Sequence, residues 1–73
     1  MQKWEYLFIE ASWEKRIIRP RYHNNKEIPD WKMMPEIHEY LNQLGDQGWE
    51  LVNTTIEGGN GVNPRFAFKR PME

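Results

Sequence analysis

Seventy-three residues bound the chain to one domain, residues 1–73, near the lower limit at which a single apolar core sustains a fold. The absence of cysteine excludes disulfide staples and thiolate metal sites, while four Trp, three Tyr and three Phe, each able to bury on the order of 150–250 Å², partly offset the small size. The longest apolar run is only a few residues, too short for a membrane span or a signal-peptide core, so a soluble cytoplasmic protein is expected. The formal net charge is −1, which gives no overall bias toward polyanions.

The first stretch, Lys3 to Glu10, alternates as a strand, with Trp4, Tyr6 and Phe8 on one face and Glu5, Leu7 and Ile9 on the other. Apolar groups on both faces predict a central strand covered on both sides. Ser12 to Tyr22 reads as a second, more polar strand, reached through a turn at Ala11-Ser12. Pro20 lacks an amide hydrogen and either confines this segment to a sheet edge, where basic residues protect against further pairing, or ends it. His23 to Asp30 reads as a loop, with Asn24-Asn25 suited to left-handed backbone and Pro29-Asp30 to a turn.

Ile37, Tyr40, Leu41 and Leu44 recur at i, i+3, i+4 and i+7, the apolar stripe of an amphipathic helix. Pro35 suits the first helical position and Glu36 the first turn, with Asp30 as the alternative cap of an extra turn before them. The helix ends where strand spacing begins, in Gly48-Trp-Glu-Leu-Val52. Gly48 fits the C′ position, where positive φ is needed, which makes Leu44 C3 and Trp49 C″, the touching pair of a Schellman ending. Gly45 then falls in the last turn, at a cost of roughly 1 kcal/mol that suggests either close backbone contact with the sheet or an earlier helix end. Trp49 to Ile56 continues as a strand, Gly58-Gly-Asn-Gly61 as a hairpin turn, and Arg65 to Arg70 as the closing strand ahead of Pro71. The predicted fold class is α+β: a single β-β-α-β-β domain, an antiparallel sheet with one helix packed on one face.

Three pieces, Trp4-Glu-Tyr6, the run Leu41-Asn-Gln-Leu-Gly45 with Gly48-Trp-Glu-Leu-Val52, and Phe68-Lys-Arg-Pro71, resemble a small bacterial family catalogued as domain of unknown function 4177. The resemblance covers nearly the whole chain, and its most specific part is L-N-x-L-G-x-x-G-W-E-L-V. It implies a compact α+β domain with a sheet of four strands or fewer. It carries over no catalytic residue, and the segment from Trp13 to Tyr22 is not part of the shared pattern.

Charge is segregated along the chain. Lys15, Arg16, Arg19 and Arg21 face only Glu14 between residues 11 and 23, whereas Glu36, Glu39, Asp46, Glu50 and Glu57 occur without any Lys or Arg between residues 33 and 64. The sharpest cluster is Trp13, Arg16, Arg19, Arg21, Tyr22 and His23, since arginines interleaved with aromatics suit phosphate contacts and base stacking. The competing interpretation is a charged, protected edge strand. His38 falls off the apolar stripe and reads as an exposed helix histidine. His23 and His38 match no metal-ligand spacing. The glycine run could cradle a phosphate, but a strand rather than a helix follows it. Ser12, the sole serine, has no neighbouring base.

No catalytic, cofactor-binding or metal-binding residue is therefore assigned. The expected function is a non-catalytic interaction or structural module that self-associates, most simply as a dimer, with a nucleic-acid- or anion-binding module built on residues 13–23 as the alternative. Self-association is expected because one helix covers one sheet face. Leu7 and Ile9, opposite Trp4, Tyr6 and Phe8, are expected on the face left open.

Overall fold

The structure is a computed structural model and describes residues 1–55 and 63–72. Strand β1 runs from Lys3 to Glu14, well past the expected turn at Ala11-Ser12. Both of those residues are buried and paired with the next strand, and neither has a turn-forming side chain strong enough to outweigh that burial. The reversal falls instead at Lys15-Arg16, with Lys15 at φ 61°. Strand β2, Ile17–His23, returns antiparallel to β1. Its register shifts beside Pro20, leaving Arg21 unopposed as a bulge residue.

The expected loop after His23 is largely a hairpin. Asn24 and Asn25 take φ 50° and 69°, and strand β3, Lys26–Glu27, pairs back on β2. Asn24 also extends the β1 ladder: its amide donates to the Phe8 carbonyl at 2.8 Å, and its Oδ1 accepts from the Phe8 amide at 2.9 Å. A 3-10 turn over Trp31–Met33 leads to helix α1, Ile37–Asp46. The helix therefore begins two residues after Pro35. The Arg19 guanidinium holds the Met34 carbonyl, and the first helical acceptor is Glu36, bonded by the Tyr40 amide at 3.1 Å.

The helix end matches its sequence signature. Gly48 has φ 92°, its amide donates to Gly45 O at 3.0 Å, and the Trp49 amide donates to Leu44 O at 3.1 Å, the two bonds of a Schellman motif. Gly45 does not approach the sheet: a Cβ there would meet nothing within 4 Å. Strand β4, Glu50–Thr55, bulges at Val52 and pairs with β5, Arg65–Met72. The Gly58-to-Gly61 turn lies outside the described residues.

The described elements make an α+β domain with one antiparallel five-stranded sheet, in the order β3-β2-β1-β5-β4, and one helix. The fifth strand is β3, which the sequence pattern and the family resemblance both leave out. A two-residue strand has no periodicity to read. The core lies between helix and sheet: Leu7, Ile9 and Ala11 of β1, Phe66 and Phe68 of β5, and Ile37 and Leu44 of α1. Each large member contributes about 1.5–3 kcal/mol by leaving water. Ile18, Tyr40, Leu41 and Trp49 pack around its border.

This packing reverses the expected assignment of faces. Leu7 and Ile9 lie under the helix, Ile9 only 1% exposed, while Trp4, Tyr6 and Phe8 occupy the uncovered face. Among the described residues, central β1 is covered on one side only. The aliphatic row interlocks with Leu44 and Ile37, whereas the rings of the other row can stay partly wet at lower cost.

Candidate functional site

The open face is built in cross-strand rows, because directly paired residues project from the same side of an antiparallel sheet. One row runs Tyr22, Glu10, Arg65 and Thr55 across β2, β1, β5 and β4. The next holds Phe8, Ala67 and Asn53, then come Tyr6, Lys69 and Glu50, and finally Trp4 beside Pro71. Trp4, Tyr6 and Phe8 are 37, 56 and 57% exposed, three large rings in line along the central strand.

The charges of this face are matched on the face itself. Arg65 Nε meets Glu10 Oε1 at 2.9 Å, Lys69 Nζ stands 4.3 Å from the centre of the Trp4 ring, and Glu50 is the register partner of Lys69. Glu27, the register partner of Tyr22 on β3, adds a third acid and is matched by Arg21 at 2.9 Å, so the aromatic stripe lies in an electrically balanced frame.

At the Glu10–Arg65 end the face sinks into a groove of about 480 Å³. Its floor is the β1–β5 ladder around Ala67, and Phe8, Tyr22, Asn25, Asn53 and Thr55 surround it. Two bulges flank it, one opposite Glu10/Ala11 and one at Val52. Extra residues on both sides increase twist, which dishes the sheet here.

The residues singled out by sequence, Trp13, Arg16, Arg19, Arg21, Tyr22 and His23, do not form one strand surface. Trp13 belongs to β1, Arg16 to the turn, and the other four to β2. Arg19 is half-buried, donates to the Met34 carbonyl and lies 4.0 Å from Glu14. Arg21 pairs with Glu27 at 2.9 Å and stacks 4.8 Å from the Trp31 ring centre and 5.3 Å from that of Tyr22. These two arginines serve the fold, clamping the segment before α1 and the β2–β3 hairpin. Trp13, Arg16 and His23 are exposed, and Tyr22 alone of the six lines the groove.

His38 is exposed on α1, and among the described residues no three His, Cys, Asp or Glu side chains gather as a metal site would require. The groove residues Phe8, Glu10, Asn53, Arg65 and Ala67 were not singled out from sequence. The available signal was the alternation Arg65, Ala67, Lys69, which places a small residue between two long cations, but it needed the pairing of β5 between β1 and β4 to become a site.

Fold and site together define a small open-faced α+β domain, with a core on one side of the sheet and an aromatic surface on the other. Comparison with protein-family models, with curated proteins and with solved structures finds no match. No helix of the described residues is long and apolar enough to cross a membrane.

Proposed function

We propose that the chain is a non-catalytic interaction module that self-associates, most simply as a two-fold dimer, by packing its open sheet face against the same face of a second copy. The observation carrying this reading is the row of Trp4, Tyr6 and Phe8, left to solvent on the side opposite the helix. Contiguous apolar surface of this kind marks interaction sites on small soluble domains. Two sheets packed about 10 Å apart would bury the row twice with one interface.

The balanced charge of the face supports an identical partner. In an isologous interface a net-charged patch meets its own sign, which costs affinity, whereas Glu10 with Arg65 and Glu50 with Lys69 bring no net charge. The same balance weighs against a polyanion on this face. The likeness of Leu41 to Val52 to domain of unknown function 4177 belongs to this reading and adds no activity to it.

Light scattering coupled to gel filtration at micromolar concentration tests the proposal. A dimer mass is expected for the wild type and a monomer mass for Tyr6→Lys, with the helical circular dichroism unchanged. A monomer mass for the wild type would falsify it.

The alternative, a nucleic-acid- or anion-binding module on residues 13–23, is favoured only by the exposed Lys15-Arg16 tip, because Arg19 and Arg21 have internal partners. Fluorescence anisotropy with single-stranded and duplex oligonucleotides at physiological salt is expected to show no binding tighter than micromolar. A tight, steeply salt-dependent isotherm lost in Arg16→Gln would reverse the preference.

A further inference from the structure

We propose that the groove over Ala67 is a binding site for a planar, uncharged heteroaromatic ring that carries both hydrogen-bond donors and acceptors, an amide-type ring such as uracil. The inference rests on the self-association reading in one respect: the second copy supplies the roof. The floor and walls belong to one chain.

Size and shape come first. Ala67 presents a single methyl group between Phe8 on one neighbouring strand and Asn53 on the other. These neighbours sit two strand spacings apart, about 10 Å, so a ring can lie on the methyl with the half-exposed Phe8 ring against it. The volume of about 480 Å³ lies within the range of small-ligand sites.

The polar groups set the chemistry. Arg65 meets Glu10 through Nε, and among the described residues its two terminal nitrogens and Glu10 Oε2 have no hydrogen-bond partner. The guanidinium offers donors and the carboxylate an acceptor, side by side on one edge of the groove. The side chains of Tyr22, Asn53 and Thr55 likewise face it without partners among the described residues. A purely apolar guest would leave all of these unpaired, and once roofed they would lose water as well.

Charge decides between the remaining ligand classes. Glu10 and Arg65 cancel, so a carboxylate or amidinium guest would bring one uncompensated charge into a space closed between two sheets. A neutral ring with an amide edge takes from Arg65 and gives to Glu10 while leaving the balance unchanged. Both bulges lie at this level of the sheet, so the depression is part of the backbone and is present before any guest arrives.

The test is a titration of the ¹⁵N-labelled wild-type protein with uracil, benzoate and benzamidine, followed by amide chemical shifts, with the mass of the same sample taken by light scattering. Saturable shifts at Phe8, Asn53, Thr55 and Ala67 are expected with uracil, at least tenfold tighter than with either charged ring. Ala67→Leu, which fills the floor on the uncovered face, is expected to abolish them while preserving the spectrum of the core. Tyr6→Lys is expected to weaken uracil at least tenfold by removing the roof. No saturable uracil shift in a sample of dimer mass overturns this inference and leaves self-association standing. Equal binding of benzoate, or uracil binding that survives Ala67→Leu, also overturns it. A monomer mass with uracil shifts lost in Ala67→Leu overturns the self-association reading and with it the roof, and leaves standing only the floor and walls assigned to one chain.

Discussion

Gly48 and Gly45 stand three residues apart in one helix ending and have opposite reasons for being glycine. At φ 92°, Gly48 occupies backbone that other residues enter only with strain, so Gly48→Ala is expected to cost about 1 kcal/mol although its surroundings are open. Gly45 has helical backbone and no neighbour within 4 Å of an added Cβ, so Gly45→Ala is expected to stabilise by about 1 kcal/mol. Chemical denaturation of the pair checks both signs, and two shifts of the same sign would contradict this account of the turn. Tyr40 offers a third test at this scale. Burial at the core border raises its phenol pKa above the usual 10.0, because the phenolate is the poorly solvated form. The folded state then holds that proton more tightly than the unfolded chain, so the associated stability is complete below pH 10 and is lost as pH rises through the folded value. Tyr40→Phe is expected to flatten the alkaline fall in stability measured by urea midpoints between pH 9 and 11, and an unchanged slope would remove Tyr40 as its source.

At the scale of elements, β1 is the member on which the others depend. It is the longest strand among the described residues, pairs with β2 and β5, and supplies Leu7, Ile9 and Ala11 to the core. Its two faces respond differently to substitution. Ile9→Lys places an ammonium among Leu44, Phe66 and Phe68 and is expected to unfold the domain, so it cannot report on association. Tyr6→Lys changes the uncovered face and is expected to leave the fold intact, its melt lowered only by loss of the second copy. The comparison of thermal melts for the two variants checks which row faces the helix, independently of any measurement of mass. The β2–β3 hairpin has a separate support: Arg21 is held by Glu27 and by the Trp31 ring. Arg21→Ala is expected to loosen residues 24–34, seen as faster amide exchange there, with the β1–β5 ladder unchanged.

For the whole molecule, one sheet with one helix leaves a geometric remainder. The helix seals one face, and among the described residues the other carries the Trp4, Tyr6 and Phe8 row, Tyr22, paired charges and a groove. The proposed pairing of open faces turns that remainder into an interface, and the proposed ring site would lie within it. The sequence segregates basic from acidic segments, but much of this segregation serves internal contacts: Arg19 and Arg21 are occupied within the fold, Arg65 pairs with Glu10, and Arg70 with Glu5 while stacking 4.2 Å from the Trp49 ring centre. Charge runs read along a chain overstate what a partner meets, because strand pairing brings distant acids and bases together.

Local chemistry was legible in the sequence wherever a few adjacent residues decide it. The apolar stripe of α1, the Schellman ending at Gly48, the left-handed Asn24-Asn25 and the strand alternation of β1 all follow from spacing and backbone preference alone. Tertiary structure decided what depends on competition between distant segments. Lys15-Arg16 became the turn because Ala11 is buried in the core and its pairing with Pro20 carries the β1–β2 ladder onward. The helix took the Leu7–Ile9 row because Phe66 and Phe68, more than fifty residues away, complete a core with it. The groove exists only because β5 inserts between β1 and β4 and brings Ala67 between Phe8 and Asn53, a juxtaposition made by strand order and by two bulges that no local pattern encodes.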